Sequence, residues 1–267
     1  MKIMLFSDIP PCKNFTAGIV LNIMCDFLLE AGHEICCFTV KDKNVNAEIP
    51  QDKLEKMKFC NVEKPRENWG HHFGGAVTSF LGNNATAMFK LPEIARQAGK
   101  FAKENGAELI WSVVQGQTMI KLAEPTARYA GVPYVIQVWD PPEWWMMENK
   151  FDKYTTASVM KAFGKALKNS NCCIAASWAM AEDYSARYDC RSIPVILGFS
   201  PERIVPKGEK HPGEFVIALS GQIYASDEFS MLLQALDKLD WQYGGKKIRL
   251  RLYGRYFHLY FSHPSRV

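Results

Sequence analysis

Apolar and polar positions along the chain follow two rhythms, one of short continuous apolar runs and one of stripes at helical spacing. MKIMLF is an apolar run that reads as a buried strand. The loop SDIPPCKNFTA leads from it to Gly18 and a helix closed by Gly32, after which EICCFTV reads as a second strand. Between Gly18 and Ala31, Ile19, Ile23 and Phe27 form one apolar row and Val20, Met24, Leu28 and Ala31 another, opposite Asn22, Asp26 and Glu30. That pattern predicts a helix laid on a sheet.

Met57 to Val62 reads as a third strand. The stretch that follows, KPRENWGHHFGGAVTSFLGNN, is glycine-rich and aperiodic and is expected to be a long loop. Pro92 suits a first helical turn, and Ile94, Ala95, Ala98, Phe101 and Ala102 carry a stripe that ends at Asn105-Gly106. A strand over Leu109 to Val114, a helix over Thr118 to Ala130 and a strand over Tyr134 to Val138 follow, the last two separated by Gly131-Val132-Pro133. Past the aromatic segment WDPPEWWMMENKF come a helix capped by Thr155 or Thr156, a strand at Cys172 to Ala176, a helix capped by Ser177 and a strand at Ile193 to Leu197.

GFSPERIVPKGEKHPG reads as a linker, with a boundary near Pro212. After it the opening order recurs: an apolar strand from Phe215, Gly221, a Ser226-capped helix with Phe229, Leu232, Leu233, Leu236 and Leu239, and a strand from Ile248 to Tyr253. Strands alternating with helices predict an α/β fold, a Rossmann-like parallel sheet with right-handed crossovers and helices on both faces. Residues 1–212 have the length to close such a domain. Residues 213–267 hold only its first elements and are expected to form an incomplete second one with an unpaired strand edge, open to oligomer formation. Two such domains would face each other across a ligand cleft at their strand carboxyl ends.

At 267 residues and 48% apolar composition the chain can bury a sizeable core. It shows neither a signal-type start nor a membrane-length apolar run, so a cytoplasmic location is expected. Two of the cysteine pairs, Cys36-Cys37 and Cys172-Cys173, lie in strand patterns where neighbours point to opposite faces, which predicts buried, reduced thiols. No zinc-type spacing is present, and neither a metal nor any other cofactor is expected. The net charge of +4 is uneven: residues 242–267 hold six Lys/Arg and no Asp/Glu, leaving 26 basic against 28 acidic residues elsewhere. A body without basic excess argues against a nucleic-acid partner. The basic end suits a diphosphate or, through peripheral contact, an anionic lipid surface, and its plainer reading is a charged strand edge that is simply solvated.

A lone glycine at a strand-to-helix turn, here Gly18, lets another backbone come close and leaves helix N–H groups open. AGIVLN lacks the three-glycine dinucleotide fingerprint, and no Walker, G-x-S-x-G or H-E-x-x-H pattern is present. In order and spacing, the opening strand, the loop to Ala17-Gly18, AGHEICCFTV, AGVPYVIQVWD, ASWAMAEDY, ILGFSPERI and FVIALSGQIY resemble the two-domain GT-B glycosyltransferases, particularly the retaining group called family four. The resemblance runs the length of the chain. It implies an amino-terminal acceptor domain, a carboxyl-terminal domain for a nucleotide-sugar donor, and a glycan or lipid-linked acceptor, as in polysaccharide biosynthesis. It places Gly18 near the acceptor or the donor phosphates, Asp140 at the cleft as the catalytic candidate, and Gly221 against the diphosphate.

The chain departs from that pattern at three places. Gln222 and Asp227 stand where the family commonly has an arginine and a lysine, and Trp139 replaces a frequent histidine. Retaining chemistry depends on cations that stabilise a departing diphosphate, so a noncatalytic carbohydrate- or partner-binding module stays open beside the enzyme. On the acceptor side, Trp139 and Trp144 offer rings for stacking on a sugar, and Asp140 and Glu143 offer carboxylates to orient it. The plainer readings are a loop plugging its own core and an Asp that forms a turn ahead of two prolines. His71 and His72 read as surface histidines.

Overall fold

The computed structural model describes residues 1–67, 75–196, 198, 212–221, 223 and 225–254. The chain divides into two compact units, Met1–Gly198 and Phe199–Val267. The first holds seven parallel strands: β1 (Lys2–Ser7), β2 (Glu34–Lys41), β3 (Lys58–Glu63), β4 (Leu109–Val113), β5 (Tyr134–Val138), β6 (Cys172–Ala175) and β7 (Ser192–Pro194). Their order in the sheet is β3-β2-β1-β4-β5-β6-β7. Between them run α1 (Thr16–Glu30), α2 (Gln51–Lys56), α3 (Ala76–Phe89), α4 (Leu91–Glu104), α5 (Gly116–Ala130), α6 (Pro142–Glu148), α7 (Lys153–Asn169) and α8 (Trp178–Tyr188). This is the expected Rossmann-like α/β sheet with helices on both faces.

Strand alternation sorts the side chains of β1 into two cores. Met4 and Phe6 join Phe38, Ile110 and Ile136 under α4, α5 and α7, while Ile3 and Leu5 join Cys37, Trp111, Leu21 and Cys25 under α1. The chain adds strands in one direction from β1 to β3 and in the other from β4 to β7. With right-handed crossovers the helices of the second series therefore fall on the face opposite α1. The α1 face is thinly covered as a result. α1 buries Gly18, Leu21 and Cys25 and packs Met24 and Leu28 of one expected apolar row against the core, whereas Ile19 and Phe27 of the other row are exposed. Lys53 of α2, its side chain buried, reaches Asp26 of α1 and pairs with it, and burial's penalty on the ammonium is outweighed by Asp26 and Asp52, so its pKa stands above the ordinary value.

Two expectations are corrected here by local structure. The segment read as loop contains α3, and the reason it carried no helical signal is that its faces are inverted. Ser79, Asn83 and Thr86 are buried, and the large apolar residues Val77, Leu81, Met88 and Phe89 are exposed. Asn83 accepts a hydrogen bond from Gln117 Nε2 at 2.8 Å and donates to Ser79 at 3.2 Å and Thr155 at 3.4 Å, a polar seam joining α3 to α5 and α7. Thr155 is thus packed inside, and the cap of α7 is Asp152, whose Oδ1 accepts from the amides of Tyr154 and Thr155. Ser177 does cap α8, accepting from Met180 N at 3.2 Å. The αL conformation of Gly131, φ 74°, ends α5.

The second unit is a β-α-β element with a short extra strand. β8 (Glu214–Ser220) pairs in parallel with β10 (Lys246–Tyr253), α9 (Ser226–Lys238) crosses between them, and β9 (Gln242–Tyr243) joins β10 antiparallel. Ser226 is the first residue of α9 and makes no cap; Ala225 occupies that position. The two sheets share no strand. All eight cysteines are free, and burial pushes Cys36 up to about 11 and Cys37 and Cys173 up to about 12. Among the described residues no helix is long and apolar enough to cross a membrane.

Candidate functional site

In a parallel sheet the strand order reverses where two neighbouring strands send their chains to opposite sides, and a crevice opens at their carboxyl ends. Here those strands are β1 and β4, paired from Ile3–Leu109 to Phe6–Ser112. The end of β1 delivers Asp8, and the end of β4 delivers Val114, Gln115 and the opening of α5. β3 and β5 contribute their own carboxyl ends on either flank.

On the β3 flank a buried charged cluster forms. Lys64 Nζ lies 3.2 Å from Glu67 Oε2 and 3.5 Å from Asp8 Oδ2, all three side chains being largely enclosed. Glu67 Oε1 accepts from the Thr118 amide at 2.8 Å. Thr118 is the third residue of α5, whose cap residue Gln115 makes no side-chain bond, so Glu67 supplies the missing cap and sets its charge at the positive end of the helix. Burial pushes the Asp8 carboxyl up, the pull of Lys64 opposing and the repulsion of Glu67 adding. For Lys64, burial works against the ammonium, yet Glu67 and Asp8 together hold its pKa above the ordinary value. Burial draws Lys121 on α5 down, with Glu67 opposing.

On the β5 flank Trp139 and Asp140 follow the strand and face the opening of α5. Asp140 is exposed, and Trp139 packs against the core under α1 with its Nε1 buried and without a hydrogen-bond partner among the described residues. A cleft between them, lined by Gln115, Gly116, Trp139, Asp140, Pro142 and Trp145, has room for about 10 Å³, roughly one water. Trp145 closes it. A Cβ on Gly116, φ 77°, would sit 3.1 Å from that indole, so glycine is what lets the ring lie across the start of α5. Glu143 in the first turn of α6 is engaged by Arg187 Nη1 at 2.7 Å, and Trp144 is exposed on the same helix.

Gly18 is buried in the first turn of α1, and its close neighbour is its own loop. A Cβ there would meet Cys12 Sγ at 2.1 Å and the Pro10 carbonyl at 2.9 Å, and the Cys12 amide donates to the Gly18 carbonyl at 3.0 Å. Gly221, in the second unit, is exposed with φ 113°, and its amide donates to the Tyr253 carbonyl at 2.8 Å. Gln222, His71 and His72 lie outside the described residues. Asp227 and Glu228 occupy the first turn of α9. A cavity of about 410 Å³ lies on the thinly covered α1 face, lined by Met24, Phe27, Trp111, Val135 and Ile174 among others. Among the described residues no group of three or more His, Cys, Asp or Glu could hold a metal ion.

Of the residues singled out from sequence, the structure thus brings Trp139, Asp140, Glu143 and Trp144 to one corner of the sheet's carboxyl edge. Sequence reading passed over Asp8, Lys64, Glu67 and Lys121. Asp8 directly follows the first strand, where a carboxylate at a switch point is a recognisable signal. Glu67 carried none, because it lies in the segment read as loop.

Compared with known proteins, no family model and no curated sequence matches this chain. Solved structures do. Sucrose-phosphate synthase from Thermosynechococcus elongatus superposes with a TM-score of 0.52 at 13% identity over 97% of this chain and 71% of its own. Phytolacca americana UGT2, complexed with UDP-2-fluoro-glucose and pterostilbene, gives 0.51 at 9% identity over 93% and 70%. A UDP-glucosyltransferase from Polygonum tinctorium gives 0.50 at 9% identity over 94% and 70%. At these identities the likeness is one of fold, and that fold is the GT-B architecture of glycosyltransferases.

Proposed function

We propose that the chain is a GT-B glycosyltransferase, of the retaining family-four kind, that transfers a sugar from a nucleotide-sugar donor to a glycan or lipid-linked acceptor in the cytoplasm. The observation that carries this reading is the aromatic and carboxylate corner at the end of β5, set at the switch point of a sheet whose structural neighbours are glycosyltransferases, one of them holding UDP-2-fluoro-glucose. Residues 1–212 hold the acceptor and residues 213–267 begin the donor domain. Trp139 and Trp144 stack on the acceptor sugar. Asp140 orients the attacking hydroxyl as the catalytic carboxylate, and Glu143, steadied by Arg187, flanks it. Gly18 fixes the loop beside the acceptor. Gly221 and Gln222 approach the donor diphosphate.

A second reading, a noncatalytic carbohydrate- or partner-binding module, is favoured by one feature. Asp227 and Glu228 put negative charge on the first turn of α9, where a diphosphate would want amides and cations. Calorimetry of the full chain with a panel of nucleoside-diphosphate sugars, followed by transfer assays with candidate glycans, separates the two. Micromolar donor binding with glycosyl transfer supports the enzyme. Glycan binding with no donor binding at millimolar concentration sinks it in favour of the module.

A further inference from the structure

Helix α3 is built inside out. Its buried positions are polar, Ser79 and Asn83 at 2% exposure and Thr86 at 7%, while Val77, Leu81, Met88 and Phe89 are 69%, 62%, 68% and 75% exposed. The helix carries no charged residue over its 14 positions. Water-facing helices put their charges outward and their apolar stripe inward, so this inversion calls for an apolar environment outside the protein.

The surroundings say which. α7 packs beside α3 through the Asn83–Thr155 hydrogen bond and the Phe80–Tyr154 ring pair, centroids 5.9 Å apart. α7 has four lysines and no acid, and Lys153, Lys161, Lys165 and Lys168 repeat at helical spacing on its exposed face. Lys165 and Lys168 are paired with Glu124 and Asp189, whereas Lys153 and Lys161 have no carboxylate partner among the described residues. Tyr154, half exposed, touches Phe80 of α3 on one side and has Lys153 Nζ 5.1 Å from its ring. An apolar helix, an amphipathic tyrosine and then a lysine row is the order in which a protein meets acyl chains, interface and anionic headgroups. A second copy docked on the same face would bring two lysine rows into one contact and is disfavoured by their repulsion.

We propose that α3, together with the lysine row of α7, is a docking surface for an anionic lipid bilayer. The proposal is independent of the glycosyl-transfer reading, since a chain without transferase activity would still bind vesicles.

Flotation of the full chain with vesicles of phosphatidylcholine alone, and of phosphatidylcholine mixed equally with phosphatidylglycerol, tests it. Binding is expected to the mixed vesicles, weakened by salt and poor on phosphatidylcholine alone. Leu81→Glu with Met88→Glu, both at exposed positions, lowers the affinity about tenfold or more by removing insertable apolar area. Lys153→Gln and Lys161→Gln each lower it about fivefold, the factor that about 1 kcal/mol per lysine near an anionic surface implies. Circular dichroism checks that each variant is folded, and the lysine pair serves if the glutamate pair is not. Absence of vesicle binding, or binding unchanged in the variants, overturns the proposal. So does a dimer seen by light scattering that the Leu81→Glu/Met88→Glu variant dissolves, which would give the face to a second copy.

Discussion

Glu67 and Thr118 are 51 positions apart in sequence and joined by a 2.8 Å hydrogen bond from the Thr118 amide to Glu67 Oε1. That bond ties the end of the β3 edge to the helix that opens at the β1–β4 switch. The other oxygen of the same carboxylate meets Lys64, so one side chain caps a helix and anchors an ion pair at once. A helix N-terminus at a switch point is a ready anion site, and here the protein fills it with its own carboxylate.

Lys64→Ala leaves Asp8 and Glu67 enclosed without their cation. Removing one partner of a buried ion pair costs about 3 kcal/mol, read as a lowered urea midpoint at neutral pH. A loss below about 1 kcal/mol would mean that solvent already screens the cluster.

Asp8 has its folded pKa above the ordinary 3.8, chiefly by burial. A raised carboxyl binds its proton more tightly in the folded state, so its contribution is present below 3.8 and is lost as pH rises through the folded value. The stability of the natural protein relative to Asp8→Asn should therefore grow as pH falls through that window, measured by urea unfolding at a series of pH values. A relative stability that shrinks on acidification contradicts the assignment.

Gly18→Ala forces a methyl into Cys12 and the Pro10 carbonyl. Overpacking of this kind costs about 1 to 3 kcal/mol. Adding Cys12→Ala should recover part of the loss, because the 2.1 Å contact is with the thiol, and a double-mutant cycle measures the recovery. If the two losses simply add, the loop has moved away.

Leu81→Ser and Asn83→Ala reverse the usual ranking of apolar and polar sites. The first, on the exposed face of α3, should fall within about 0.5 kcal/mol of the natural protein. The second strands Gln117 in the interior and should cost about 1 to 3 kcal/mol. Thermal unfolding of the two variants side by side decides it; equal costs would mean that α3 sits the other way round.

If Asp140 orients an acceptor hydroxyl, Asp140→Asn lowers transfer by about 10²-fold or more, as loss of a positioned proton acceptor does, and leaves donor affinity unchanged. Trp144→Ala removes the exposed ring that stacks on the acceptor, so it should raise the acceptor KM more than it lowers kcat. Full transfer by both variants would remove this corner from the reaction.

The strands and most helices of the first unit were legible in sequence because their signals are local. A run such as MKIMLF or YVIQV can only be buried from both sides, and Gly131-Val132-Pro133 ends a helix wherever it stands. The position of Trp139 and Asp140 at a strand's carboxyl end was legible for the same reason, since they directly follow β5. What tertiary structure alone decided is whatever depends on a partner distant in the chain. α3 has no inward apolar stripe, and its place comes from hydrogen bonds to Gln117 and Thr155. Gly18 looked like an opening for a ligand until the fold put Cys12 against it. Packing also decided which of the two apolar rows of α1 meets the core: Met24 and Leu28 lie against it, while Ile19 and Phe27 stand exposed. Periodicity reports which side of an element prefers to be dry, and only packing settles what covers it.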